Sequence, residues 1–119
     1  MSEKQYLKIL KLLQYFLKRG EKPDLNSILF FCFNITHLKL WYLLLEFHYK
    51  KETIIMEELY NKNMNIFRPT IFKIINNALN LGYLIKHNDI KDKRKWNIRV
   101  TQSTVFQFEQ VISILKRLH

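Results

Sequence analysis

The sequence predicts a mainly α-helical fold with a small β-hairpin, of the α+β class, on three observations. Apolar residues recur at helical spacing through most of the chain. Two segments, 83–90 and 95–101, have the residue pattern of strands and flank the charged turn Lys91-Asp92-Lys93-Arg94. Only two glycines and two prolines occur in 119 residues, so long linkers and glycine-rich phosphate-binding loops are not expected.

The bulk composition limits the chain to one ordered domain. A length of 119 residues with 48% hydrophobic and 14% aromatic residues is enough for one core and argues against disorder. Cys32 is the only cysteine, so an intramolecular disulfide is impossible and a reducing compartment fits. We expect a cytoplasmic protein with no cofactor.

Apolar periodicity and end signals place the helices. Asp24 and Thr36 are the expected N-caps of the second and third helices, and Gly82 the expected stop of the fifth. A short strand is expected at 52–55, and a turn at 64–68. The predicted helices span 6–18, 25–33, 37–49, 56–61, 69–81 and 102–118.

The order of helix 69–81, strand, basic turn and strand is typical of a winged helix-turn-helix. On a helical wheel, the apolar residues Ile71, Ile74, Ile75, Ala78 and Leu81 occupy one side of this helix. The opposite side carries the polar residues Thr70, Lys73, Asn76, Asn77 and Asn80. One side can therefore pack on a core while the other faces a groove.

The positive charge gathers in the same region. Residues 62–99 carry nine basic and two acidic side chains, a net charge of +7 out of +10 for the whole chain. Such a surface suits a polyanion, and double-stranded DNA is the first candidate.

The residue types of the helix and of the turn suit DNA. Asparagine amides can pair with the adenine edge, and a lysine can reach guanine or phosphate. An arginine in the turn favours a narrow, A·T-rich minor groove, and Asp92 is expected to hold the turn or orient Arg94. The predicted DNA-binding residues are Arg68, Thr70, Lys73, Asn76, Asn77, Asn80, Lys91, Asp92, Lys93, Arg94 and Lys95. The alternative is a solvated helix face followed by a charged, solvated hairpin.

Four short motifs resemble the MarR superfamily of winged-helix transcription regulators, and the length is closest to its SarA-like branch. They cover about residues 33–101. The motifs are Phe33-Asn34-Ile35-Thr36, Thr70-Ile71-Phe72-Lys73, Leu81-Gly82-Tyr83-Leu84-Ile85, and Asp92-Lys93-Arg94 with Ile98-Arg99-Val100-Thr101.

The resemblance implies a homodimeric, sequence-specific transcriptional regulator on a pseudo-palindromic DNA site. The recognition helix 69–81 would lie in the major groove, and the wing 86–99 would lie at the minor groove. Thr70, Lys73 and Asn77 match contact positions of the family, and Asp92 and Arg94 match its wing pair.

The resemblance also divides the chain. Residues 1–33 would supply N-terminal dimerisation helices, 36–101 the winged helix-turn-helix core, and 102–119 a C-terminal helix that joins the dimer interface. This chain departs from the family at Pro23, which interrupts a usually long helix, at Met56 in a usual cap position, and at Thr104 in place of a glycine.

Other chemistry finds little support in the sequence. No nucleophile elbow, phosphate loop or metal-ligand spacing occurs, so neither an enzyme nor a metal site is expected. Cys32 lies between two phenylalanines and is expected to be buried and inert. The aromatics Phe30, Phe31, Trp41, Tyr42 and Phe47 are expected in the core.

Three alternatives to a transcriptional regulator stay open. A winged helix can serve replication or the partition of a plasmid or genome, or it can be an adaptor for other proteins.

The run 28–47 has the length of a membrane span, but Asn34, Lys39 and Glu46 interrupt it, so no membrane partner is expected.

Overall fold

The computed structural model describes residues 2–4, 6, 7, 10, 11, 14 and 25–117. Over 25–117 it contains five helices and three strands. They are α1 (Asn26–Phe31), α2 (Ile35–Tyr49), β1 (Ile54–Ile55), α3 (Met56–Lys62), α4 (Arg68–Asn80), β2 (Leu84–Asn88), β3 (Trp96–Val100) and α5 (Gln102–Arg117). The mainly helical α+β fold predicted from the sequence is confirmed.

The strands form one antiparallel sheet in the order β1-β3-β2. In the middle strand, Ile98 lies opposite Ile54 of β1 and Lys86 of β2. The expected strand at 52–55 is confirmed in its last two residues. β2 and β3 form the predicted hairpin, whose register runs from Leu84 opposite Val100 to Asn88 opposite Trp96.

The core lies between the sheet and the helices α1 to α4. Every one of these elements sends at least one aliphatic or aromatic side chain into it, because each has an apolar face that water disfavours. The apolar side chains with an exposed fraction of 2% or less are Phe31, Leu40, Leu44, Ile54, Leu59, Ile71, Ile75, Ala78, Leu84 and Ile98.

The caps of the first two described helices differ from the expected ones. α1 begins at Asn26 after Leu25, which makes no side-chain capping bond, and it ends at Phe31 instead of 33. Asp24, its predicted cap, lies outside the described residues. α2 is capped by Asn34, whose Oδ1 accepts from the backbone N–H of His37 at 3.0 Å. The prediction of Thr36 as the cap is wrong, because Thr36 already lies inside the helix.

The expected helix over 6–18 and the break at Gly20–Pro23 lie largely outside the described residues. Those described within it, from Tyr6 to Gln14, are helical. The membrane-length run is divided by Asn34 into α1 and α2, and Asn34 itself is exposed. Among the described residues, no helix is both long and apolar enough to cross a bilayer.

Of the helix-turn-helix elements, α3 begins at Met56 as predicted, and α4 begins one residue earlier than predicted. Ile55 is the N-cap position of α3 and makes no side-chain cap, so Met56 is the first helical residue rather than the cap. α4 begins at Arg68 after Phe67, which places Pro69 second, and it ends at Asn80 with Leu81 as C-cap. Arg68 therefore belongs to the helix and not to the preceding turn.

The buried face of α5 is more polar than its apolar spacing predicts. Thr104, Val105 and Gln107 are buried, whereas the apolar side chains of Phe106 and Ile112 are exposed. Gln107 faces α1, where its Oε1 accepts from the backbone N–H of Ser27 at 3.1 Å and from the Ser27 hydroxyl. Ser27 is 0% exposed and Gln107 3%, so this pairing satisfies groups that water cannot reach.

The aromatic residues are divided between core and surface. The rings of Phe31 and Trp41 are stacked with centroids 6.2 Å apart, and Phe108 meets Trp41 edge-on. Phe30, Trp41 and Phe47 are half-buried against the core. Tyr42 is 68% exposed, so its expected place in the core is wrong, because its position on α2 points away from the sheet.

We predict that Gln107→Ala destabilises the protein by about 1–3 kcal/mol, because it leaves the buried Ser27 donors without an acceptor. Urea denaturation followed by circular dichroism measures the change. Gln110→Ala is the matched control, since Gln110 is half-exposed on the same helix. Equal, small losses in both variants would show that the α1–α5 pairing contributes nothing.

Candidate nucleic-acid interface

Helix α4 has one side packed on the core and one side exposed to solvent, as the helical wheel predicts. Ile71, Ile74, Ile75 and Ala78 are buried. The predicted reading side is exposed throughout, at Thr70, Lys73, Asn76, Asn77 and Asn80. Leu81, assigned to the core side, is 57% exposed, because the helix ends before it. A row of amide, hydroxyl and ammonium groups therefore faces outward along one helix.

The first turn of α4 is fixed by its neighbours. The carbonyl of Phe67 accepts from the N–H groups of Thr70 and Ile71 at 3.0 and 3.3 Å. Pro69 has no N–H to satisfy and suits the start of a helix. Arg68 reaches back to α3, where its Nη2 lies 3.4 Å from Glu57 Oε1 and its guanidinium lies 5.0 Å from the centre of the Tyr60 ring.

The end of α4 leads directly into the wing. Gly82 has φ +81°, a left-handed conformation that favours glycine, although a Cβ there would meet nothing within 4 Å. The Tyr83 N–H donates to the Ala78 carbonyl at 2.9 Å, and β2 begins at the next residue. The predicted stop at Gly82 is confirmed.

Two threonines join this turn to the end of the wing and the start of α5. Thr101 Oγ1 donates to the Gly82 carbonyl at 3.0 Å, and Thr104 Oγ1 donates to the Tyr83 carbonyl at 2.7 Å. The two hydroxyls lie 3.1 Å apart. We call this set the threonine junction. Thr104, which departs from the family pattern, is therefore a hydrogen-bonded link, and it is 1% exposed.

The wing turn, residues 89–95, is organised by its acidic residues. Asp92 Oδ1 accepts from the Arg94 backbone N–H at 3.0 Å and lies 3.4 Å from Arg94 Nε. The Asp92 carbonyl accepts from the Lys95 N–H, and the Lys95 carbonyl from the Asp89 N–H. Of the two expected roles of Asp92, holding the turn is confirmed by its bond to the Arg94 backbone N–H.

The cations of the wing and helix are available to a partner. Lys73, Lys91, Lys93, Arg94 and Lys95 are exposed. Within the described part of the chain, only Arg94 of these five has a carboxylate oxygen within 4.0 Å, and its side chain is still 92% exposed. Such weak internal pairing leaves their charge free for phosphate groups.

Several solved structures share this fold at low sequence identity. A mutant of MepR from multidrug-resistant Staphylococcus aureus matches with a TM-score of 0.59 and 18% identity, over 95% of this chain and 77% of that one. The transcriptional regulator Tm0710 from Thermotoga maritima matches with 0.58 and 16%, over 97% and 75%. A cysteine-to-serine mutant of Escherichia coli MarR complexed with operator DNA matches with 0.53 and 17%, over 100% and 83%.

This chain has the MarR fold. These matches confirm the winged helix-turn-helix predicted from the sequence, which is the fold that the MarR resemblance implies. No protein-family model matches the sequence, and no curated protein matches it. At these identities the likeness establishes the fold, so the roles of individual side chains have to be argued from their own chemistry.

The structure places Cys32 differently from the expected buried position. It lies just after α1, and its side chain is exposed because Phe31, the residue before it, takes the core position. Partial desolvation nevertheless raises the pKa of the thiol, so it stays protonated at neutral pH. Among the described residues, no group of three or more His, Cys, Asp or Glu side chains could hold a metal ion.

Several exposed residues of the hairpin were not singled out from the sequence. Lys86 of β2 lies over the ring of Trp96 on β3, with Nζ 5.1 Å from the ring centre. Asn88 Nδ2 donates to the Lys93 carbonyl at 2.6 Å across the turn. Ile90 is 97% exposed inside the basic turn. The sequence carries no signal for these contacts, because strand alternation would place Lys86 on the side of the buried Leu84, and the turn contacts depend on tertiary geometry.

We predict that Asp92→Ala loosens the wing turn without unfolding the domain. Losing the side-chain acceptor should speed hydrogen exchange at the Arg94 amide by about five- to tenfold, the effect of one ordinary hydrogen bond. Asp92→Asn, which keeps Oδ1, should stay close to the wild type. Exchange measured by NMR at the β2 amides is the internal reference. An unchanged Arg94 rate in Asp92→Ala would contradict the organising role of this carboxylate.

Proposed function

We propose that this protein is a sequence-specific, double-stranded DNA-binding transcriptional regulator that acts as a homodimer on the nucleoid. One observation carries the proposal: an exposed polar row on α4 continues, through a fixed junction, into an exposed basic turn on the same module. The operator-bound structure of MarR, which shares the fold, supports it.

The recognition helix supplies the reading groups. α4 enters the major groove with Asn76, Asn77 and Asn80 toward base edges, where an amide can donate and accept at adenine. Lys73 binds a guanine edge or a phosphate, and Thr70 contacts the backbone or a thymine methyl. The buried isoleucines on the other side hold the helix against the core, so its register is set before DNA is bound.

The wing and the helix start supply the backbone contacts. Lys91, Lys93 and Lys95 bind phosphates, and Arg94, held by Asp92, enters an adjacent A·T-rich minor groove. Arg68 contacts a phosphate, and its guanidinium must then give up or share its ion pair with Glu57. Both side chains of that pair are 60% exposed, so the exchange costs little.

The homodimer joins two such modules through the terminal segments. Ser27 of α1 is buried against α5, whereas Leu29 is 67% exposed on the same helix. Phe106 and Ile112 leave further apolar surface on α5, as do Leu7 and Leu10 near the N-terminus. A partner copy would remove this surface from water. Two recognition helices would then read a pseudo-palindrome.

We predict that selection from a random duplex pool enriches an A·T-rich pseudo-palindrome. On that duplex, Lys73→Ala and Arg94→Ala should each weaken binding by about tenfold, and each should lower the salt slope by about one. Fluorescence anisotropy over a range of salt concentrations measures both quantities. Lys116→Ala removes an exposed cation from the end of α5 and should leave affinity unchanged.

Three outcomes would count against these assignments. Wild-type affinity of Arg94→Ala would show that the wing role is wrong. Enrichment of tandem repeats instead of a palindrome would favour partition or replication. Absence of duplex binding at low salt would overturn the DNA-binding proposal and favour an adaptor.

We also predict that the protein sediments as a dimer and that Leu29→Asp makes it monomeric, because a carboxylate in an apolar interface is left unpaired. Analytical ultracentrifugation gives the mass, and circular dichroism checks folding. Met64→Asp places the same charge on a residue that is 85% exposed between α3 and α4, and it should remain dimeric. A Leu29→Asp dimer as stable as the wild type would place the interface elsewhere.

A further inference from the structure

Ile90 is an exposed apolar residue at a position where the packing of the core does not require one. Its exposed fraction of 97% is the largest among the exposed large apolar side chains of the described residues. Single exposed aliphatic residues are common on protein surfaces, so exposure alone decides nothing. What sets Ile90 apart is its position inside a turn that otherwise carries four basic and two acidic side chains.

The turn holds Ile90 in place. Two hydrogen bonds close the turn on either side of that residue. The Asp89 N–H donates to the Lys95 carbonyl at 2.9 Å, and the Lys91 N–H donates to Asp89 Oδ1 at 3.4 Å. Asn88 binds the Lys93 carbonyl from the strand end. No residue of the turn, which is described throughout, has a left-handed backbone. The side chain is therefore presented by an ordered, unstrained loop, which lowers the entropic cost of binding.

An aliphatic side chain surrounded by cations suits one kind of surface in duplex DNA. Phosphates alone would bind Lys91 and Lys93 and give Ile90 no contact. The minor groove offers phosphates along its edges and the apolar faces of stacked bases between them. Many proteins that bind there insert an isoleucine or a similar apolar residue between two base pairs, which kinks the DNA toward its major groove.

We propose that Ile90 is such a wedge: when the wing binds, its side chain enters a minor-groove base step and the protein bends its DNA. This inference rests on the proposed DNA-binding function and adds an architectural activity to it. The wedge enters a flexible pyrimidine–purine step, for which TA is the A·T-rich choice, because such steps lose their stacking most easily.

The test measures bending and affinity separately on the duplex enriched by the wild type. End-to-end energy transfer between dyes on the duplex ends reports the bend, and anisotropy reports the affinity. Ile90→Ser should straighten the complex and weaken binding by about tenfold, whereas Ile90→Leu should keep both. Ile35→Ser, an isoleucine 70% exposed at the start of α2, is the matched control and should change neither. Replacing the TA step by an A-tract should reduce bending by the wild type.

The outcomes separate the wedge from the underlying function. If the wild type binds the duplex but leaves it straight, or if Ile90→Ser bends it as the wild type does, the wedge is wrong while DNA binding stands. If Ile90→Ser changes only the sedimenting mass, Ile90 is a contact between copies and the inference is overturned. If no duplex binds, both proposals fail. Circular dichroism should show Ile90→Ser folded, since a side chain this exposed lies outside the core.

Discussion

The pairing of β3 with strands on both of its sides is the constraint on which the rest of the structure depends. β1 leads straight into α3, so the β1–β3 pair fixes the helix-turn-helix, while the β2–β3 pair fixes the wing. Ile98 lies at the crossing of the two pairs and is 2% exposed. A slip of one residue in β3 would turn Ile98 toward solvent, so the core and the register enforce one another. The orientation of the candidate interface follows from this strand.

The sequence could predict those parts of the fold that depend on local periodicity or on single-residue chemistry. α4 was predictable because four buried residues repeat at helical spacing and because Gly82 suits a left-handed stop. Thr36 was expected as the cap of α2 because threonine is a good N-cap, but Asn34, two residues earlier, is at least as good a cap. Only the bond from Asn34 to the His37 N–H decides between them. Gln107 appears on α5 as an ordinary polar residue, because its partner Ser27 is 80 positions away. Cys32 was misplaced because its phenylalanine neighbours suggested burial, whereas the end of α1 turns it outward.

The candidate site divides in the same way. The wheel was enough to place five polar residues of α4 on one exposed side, and the acidic residue at 92 was enough to suggest a turn organiser. The contacts between different helices and strands could not be predicted from the sequence. Arg68 was predicted as a DNA-binding residue, and its contacts with Glu57 and Tyr60, which lie on another helix earlier in the chain, could not be predicted. The tertiary structure decides which side chains remain unpaired at the surface of the folded protein.

The threonine junction has a mechanical consequence. Thr101 and Thr104 bind the carbonyls of Gly82 and Tyr83, so the end of α4, the base of the wing and the first turn of α5 share one small set of hydrogen bonds. The threonine junction therefore keeps the exposed row of α4 and the wing turn at one spacing within a single copy of the chain. If two copies bind one duplex, as proposed, the angle between the copies is what remains to adjust the distance between their recognition helices.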